Sequence, residues 1–155
     1  FRGVGKSDGS FDNGQGELLD AATALDWIEK ENMDHSQCWV SGFSFGSLIA
    51  MQLLMRRPEI NRFIAISPQP NVYDFTFLAP CPSSGIIIHG QEDKVVPAED
   101  VERLVEKLQA QKNIEVEYNS IPKANHFFEK EGDILVNKVN NYLDTRLVSS
   151  DFNID

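Results

Sequence analysis

The sequence is poor in cysteine, in histidine and in positive charge. Its two cysteines, Cys38 and Cys81, are too few for a disulfide framework. No secretory leader is visible, so they are expected to be reduced thiols in a cytoplasmic protein. Cys38 reads as a core residue on a strand, and Cys81 sits in a loop between Pro80 and Pro82. The three histidines, His35, His89 and His126, are scattered and share no ligand spacing with the cysteines, which excludes a recognisable metal centre. Lys and Arg number 14 against 24 Asp and Glu, a net charge of −10 that argues against nucleic acid or an anionic membrane as the main partner. No apolar run approaches the length that spans a bilayer, and neither internal repeats nor low-complexity segments occur.

What is present is enough for one domain over residues 1–155, because a hydrophobic content of 41% can supply a real core. Residues 1–16 are rich in Gly, Asp, Ser and Asn, which is loop chemistry. Within them Gly3-Val4-Gly5-Lys6-Ser7 resembles the end of a phosphate-binding loop. That motif needs a helix beginning at the lysine, whereas Asp8-Gly9-Ser10 and then Asp12-Asn13-Gly14 follow, so a nucleotide site is not expected.

From residue 17 to 32 the pattern is helical, with Leu18, Leu19, Ala22, Leu25 and Ile28 on one apolar face and Trp27 beside it. A strand at 38–40 leads into a helix over about 45–56, apolar nearly all round, which Pro58 stops. Met51 and Met55 read as core filler there. Residues 62–66 and 85–89 are continuous apolar runs, as in strands covered on both faces. The proline-rich loop 67–84 between them carries Tyr73, Phe75 and Phe77, which either line a substrate cleft or cap the core. A helix over 97–111 places Val101, Leu104, Val105 and Leu108 inward, and the alternating stretch 114–119 reads as a one-sided strand near a sheet edge. A last helix spans about 133–147, packing Leu135, Val139, Tyr142 and Leu143, and the tail after Ser149 is expected to fray. This alternation implies an open, mostly parallel α/β sheet with helices on both faces.

The stretch Gly42-Phe43-Ser44-Phe45-Gly46 has the spacing G-x-S-x-G between the 38–40 strand and the following helix. Glycines and serines also mark ordinary turns. The flanking strand and helix, however, are the context in which this spacing holds a serine in a strained turn, where side chains at either glycine would crowd the bend. The helix behind it would aim free N–H groups at an oxyanion, with the Phe45 N–H as one donor.

In such a sheet the loops at the carboxyl ends of the strands gather at one rim. The loop after 85–89 offers Asp93, and the loop after the alternating strand offers His126. The order Ser, Asp, His is that of the α/β-hydrolase arrangement. In it Ser44 attacks, His126 takes its proton, and Asp93 fixes the imidazole tautomer. Glu92 is the neighbouring alternative, but Asp93 precedes Val95-Val96-Pro97, a turn that would hold it rigidly. His35 lies in a polar loop, and His89 ends a strand too early in the order.

The segments from Phe1 to Asp12, Gly16-Glu17 with Asp26-Trp27, Gly42 to Gly46, and Asn125-His126-Phe127-Phe128 together resemble the small, lid-less α/β-hydrolases of bacteria, serine hydrolases of carboxylesterase-like type related to dienelactone hydrolases. The resemblance implies an α/β-hydrolase fold, and it places Arg2 and Gly3 in a loop that braces the site from the neighbouring strand. Family members begin with further strands and a His-Pro-rich loop that supplies a second oxyanion donor. The chain opens at Phe1-Arg2-Gly3 without methionine, so an N-terminal portion is expected to precede it. Dienelactone hydrolases proper use a cysteine where this sequence has Ser44, which argues against that narrower activity.

The expectation is therefore a serine hydrolase that cleaves a small-molecule ester or thioester through an acyl-enzyme, without cofactor. A homo-oligomer is compatible with the sequence. The competing reading is a non-catalytic binding or scaffold protein that keeps the same turn.

Overall fold

The computed structural model describes residues 1–148; the tail beyond Ser149 lies outside them. Its elements run α1 (Gln15–Glu31), β1 (Cys38–Phe43), α2 (Phe45–Leu54), β2 (Ile60–Ile66), a short 3-10 turn (Thr76–Leu78), β3 (Ser84–Gly90), α3 (Ala98–Gln109), β4 (Val116–Ile121) and α4 (Gly132–Val148). The four strands lie in the order β1-β2-β3-β4, every pair parallel. Among the described residues no helix is long and apolar enough to cross a membrane.

Side-chain alternation along the strands sorts the core into two layers. Phe63, Ala65, Ile87 and Val116 face α1, α2 and α3, meeting Leu25, Met51, Leu54, Leu104 and Leu108. Ile64, Ile86, Ile88 and Ile121 face the other way, toward Tyr142 of α4, with Leu135, Val139 and Leu143 packed around them. Helices thus cover both faces, which explains why β2 and β3 read as continuous apolar runs. The alternating strand β4 lies at the edge of this sheet, where one-sided burial suffices.

Some boundaries and exposures differ from those read off the sequence. β1 continues past Val40 through Gly42 and Phe43 because those residues still pair with Ala65 and Ile66 of β2. β4 begins at Val116, leaving Ile114 outside the ladder but packed against the core. In α1, Leu25 is buried, and Leu18 and Ala22 are half-buried against the core. Leu19, Ile28 and Trp27 are instead exposed, because the face that meets α2 is narrower than the apolar stripe. In the 67–84 loop, Phe75 caps the core, while Tyr73 packs partly on the core and partly against the ring of Phe45.

The N-terminal segment is tied down by two carboxylates of α1. Glu17 is buried and accepts the N–H groups of Asp12 and Gly14, both at 2.8 Å. Asp20 takes a fork from the Arg2 guanidinium at 3.0 and 2.7 Å and also accepts the Arg2 backbone N–H. Gly16 lies beneath it, and a Cβ there would lie 2.2 Å from the guanidinium, so a side chain would push Arg2 out of this fork. Helix begins at Gln15, so Lys6 and Ser7 sit in turns and build no phosphate cradle.

Two outcomes follow from these contacts. The Arg2 hydrogen bond holds the Asp20 carboxyl down to about 2. Its folded pKa is depressed, so the stabilisation is fully present above the ordinary carboxylate range and is lost as pH falls toward 2. Thermal melts of wild type and Arg2→Met should therefore converge between about pH 4 and pH 2, and a gap that persists there would contradict this. Separately, a Cβ at Gly85 would meet the buried Phe63 ring at 2.4 Å. Gly85→Ala should cost about 1–3 kcal/mol in urea unfolding, the range for an overpacked core.

Candidate active site

Three loops at the carboxyl ends of β1, β3 and β4 converge on one rim. At the first, Ser44 stands between β1 and α2 with φ 54° and ψ −121°, a left-handed value that a residue with a Cβ rarely adopts. The turn is closed from the neighbouring strand. The Ile66 carbonyl accepts the Ser44 N–H at 2.8 Å, and the buried Ser47 hydroxyl lies 3.0 Å from that same oxygen and 2.8 Å from the Gly42 carbonyl.

The two glycines of the motif do different jobs. A Cβ on Gly42 would lie 2.2 Å from the Gly46 carbonyl oxygen, so here the backbone itself passes too close for a side chain. A Cβ on Gly46 would meet nothing within 4 Å. The expectation that both side chains would crowd the bend is thus corrected. Gly46 supplies the backbone that Gly42 must clear, and its own side-chain position is open.

At the second rim position the loop after β3 turns Asp93 inward, and the carboxylate is buried. Its Oδ1 accepts the N–H groups of Val95 and Val96, both at 2.8 Å. Oδ2 lies 2.6 Å from Nδ1 of His126, itself buried. A carboxylate can only accept, so Nδ1 carries the proton, and Nε2 presents a lone pair. That lone pair faces the Ser44 hydroxyl at 2.9 Å. Glu92, the alternative carboxylate, is exposed, and His35 is exposed with Nδ1 against the Asn32 carbonyl.

Backbone contacts hold the second and third loops together. The Ala124 carbonyl accepts the Glu92 N–H at 2.9 Å, and the Ile121 carbonyl accepts the Gln91 N–H at 3.0 Å. Gly90 permits this approach, since a Cβ there would lie 2.4 Å from the Ala124 oxygen. Beyond His126, Asn125 caps its own loop through the N–H of Phe127 and through Glu129. Sequence reasoning gave no role to Ser47 or Gly90, and it weighed His89 only as a triad histidine and set it aside. Their signal is small or polar residues at the carboxyl ends of buried strands and just inside a buried helix.

Phe45 is the first residue of α2, so its N–H has no intrahelical acceptor and points out of the helix start. Its ring is walled by Phe1, Phe11 and Tyr73 at 5.9, 5.4 and 5.8 Å between centroids. On the other side of the hydroxyl, Phe43 and Phe127 pack against the His126 ring at 5.3 and 5.1 Å. A cavity of about 500 Å³ borders Ser44, and one of about 440 Å³ borders His126. A third, of about 690 Å³, lies between the 70–79 stretch and α3 and contains no residue of the Ser44–His126–Asp93 row. Among the described residues no group of three or more His, Cys, Asp or Glu could hold a metal ion. Burial pushes both the Cys38 and Cys81 thiols up, which disfavours a thiolate nucleophile.

Comparison with known proteins gives concordant findings. The family model described as the dienelactone hydrolase family matches residues 7–148. An uncharacterized protein of Rickettsia prowazekii (strain Madrid E) is 50% identical over 149 residues, covering 94% of this chain and 63% of its own length. The chain therefore spans somewhat less than two thirds of that relative. A protein of unknown function from Agrobacterium tumefaciens superposes with a TM-score of 0.94 at 57% identity, over 96% of this chain and 68% of that one. An alpha-beta serine hydrolase homologue from Coxiella burnetii gives 0.80 at 31%, over 92% and 66%. A member of the a/b serine hydrolases without lid from Xanthomonas campestris gives 0.83 at 27%, over 94% and 63%.

The asymmetry of the two glycines is directly measurable. Gly42→Ala should lose about 2 kcal/mol or more, because backbone has to move. Gly46→Ala should stay within about 0.5 kcal/mol of wild type. Equal losses in chemical denaturation would overturn this account of the turn.

Proposed function

The chain belongs to the dienelactone hydrolase family, and from that membership we propose that it is a serine hydrolase acting on a carboxylic ester or thioester through an acyl-enzyme. Its fold is the α/β-hydrolase fold. The observation that carries the proposal is the unbroken row from the Ser44 hydroxyl to His126 at 2.9 Å and on to Asp93 at 2.6 Å.

A neutral alcohol is a poor nucleophile, and the row remedies that. As Ser44 Oγ bonds to the substrate carbonyl carbon, its proton passes to His126 Nε2. The resulting imidazolium is stabilised by Asp93, whose charge is held in place by the two N–H groups of Val95 and Val96. The carbonyl oxygen becomes an oxyanion and accepts the Phe45 N–H, a type of contact worth about 10²–10³-fold in rate. Collapse of the tetrahedral species breaks the bond to the leaving alcohol or thiol, which departs with the proton from His126. Water then attacks the acyl carbon, gives its proton to His126, and the second collapse returns the proton to Ser44. Nothing in this cycle draws on a metal or an organic cofactor. The aromatic walls around Ser44 and His126 favour a small apolar substrate over a charged one.

A fluorophosphonate probe tests the proposal on the full-length protein. The expected result is one covalent tag, located at Ser44 by mass spectrometry. Ser44→Ala should lose the tag and at least about 10⁴-fold of its turnover of a short-chain p-nitrophenyl ester, with an unchanged thermal midpoint. An untagged Ser44 in well-folded wild type would instead favour a binding or scaffold protein.

A further inference from the structure

The reaction above makes no use of one buried imidazole that stands beside it. His89 is the last residue but one of β3 and is fully buried, as are Ile87 and Ile88 before it. Two residues earlier on the same strand, Ile87 belongs to the core layer facing α3, so His89 is directed to that layer as well. Its Nε2 lies 3.1 Å from the Val96 carbonyl oxygen. A carbonyl can only accept, so Nε2 carries the proton and donates it there. Among the described residues its Nδ1 has no hydrogen-bond partner, and it lies 3.8 Å from Asp93 Oδ2, too far for a hydrogen bond. That arrangement belongs to a neutral ring, with the Nδ1 lone pair turned toward the carboxylate. Burial pushes the His89 pKa down, against the opposing pull of Asp93, the Val96 carbonyl and Glu102, and in concert with His126.

We propose that His89 is a positioning residue for the Asp93–His126 pair. The route of its action is short. His89 anchors the Val96 carbonyl and so fixes residue 96 from its far side, while the N–H of Val96, with that of Val95, is aimed at Asp93 Oδ1 at 2.8 Å. With Oδ1 held by two backbone donors, Oδ2 is left free to serve His126 alone. A protonated His89 would offer Oδ2 a charged donor in competition with His126 and weaken the hold on its imidazole. Neutrality is thus part of the role. No other side chain donates to the Val96 carbonyl among the described hydrogen bonds.

The inference rests on the hydrolase reading, and its test keeps the two separable. Tagging of wild-type Ser44 by a fluorophosphonate reports on the hydrolase reading alone. For His89, the full-length wild type, His89→Leu and His89→Gln are compared by tagging rate, by thermal midpoint and by the downfield proton resonance of the Asp93–His126 hydrogen bond, with Asp93→Asn as its assignment control. His89→Leu should shift or lose that resonance and slow tagging by about 100-fold, the scale of a small misplacement at a reacting centre. His89→Gln, which keeps a donor within reach of Val96, should recover much of both. Nitrogen-15 shifts of wild-type His89 should show a bare Nδ1 and a protonated Nε2 throughout about pH 5–8, and this readout stands even if a variant does not fold. An imidazolium signature in that range overturns the inference. So does a folded His89→Leu with the resonance unmoved, whether or not its tagging slows.

Discussion

The Ile66 carbonyl is the point on which the turn at Ser44 closes. It receives the Ser44 N–H at 2.8 Å, and the Ser47 hydroxyl lies 3.0 Å away. A serine with φ of 54° is costly on its own, by about 1–3 kcal/mol, and persists only where its surroundings over-determine it. Here the surroundings are the next strand of the sheet. β1 and β2 are in register through Phe43 and Ile66, so the last carbonyl of β2 arrives where the bend needs an acceptor. Gly42 then lets α2 start close behind the strand, and the Ser44 hydroxyl is left standing clear of both.

The rest of the site depends on that fixed point but is assembled by a separate device. His126 and Asp93 lie on loops that leave β4 and β3, adjacent parallel strands. Parallel neighbours bring their carboxyl ends to the same edge, and the loops then touch through the Ala124 and Ile121 carbonyls over a glycine. The imidazole is therefore located by backbone hydrogen bonds on its own loop and by a carboxylate on the next. Each nitrogen of His126 faces one group, which decides the tautomer without any contribution from solvent. His89 extends the same logic one layer deeper into the sheet.

The strands and helices were legible because their apolar periodicity reports burial directly. The run Ile86-Ile87-Ile88 could only suit a strand covered on both sides, and Val101, Leu104, Val105 and Leu108 only one face of a helix. The stripe on α1 misled at Leu19 and Ile28, because periodicity says which residues are apolar and not how wide the facing surface is. The motif likewise pointed to Ser44, but the unequal roles of Gly42 and Gly46 depend on which way each missing side chain would have pointed.

Residue types and their spacing along the chain determined the fold class, the strained serine turn and the order in which hydroxyl, carboxylate and imidazole appear. Those are local or periodic properties, and a linear text carries them. That Gly90 must be bare and that His89 lies buried behind the carboxylate were decided only by tertiary structure. Each concerns the direction of a side chain at the meeting of two loops remote in sequence. That direction is set by the pairing of parallel strands and by backbone contacts across them, neither of which has a signature along the chain.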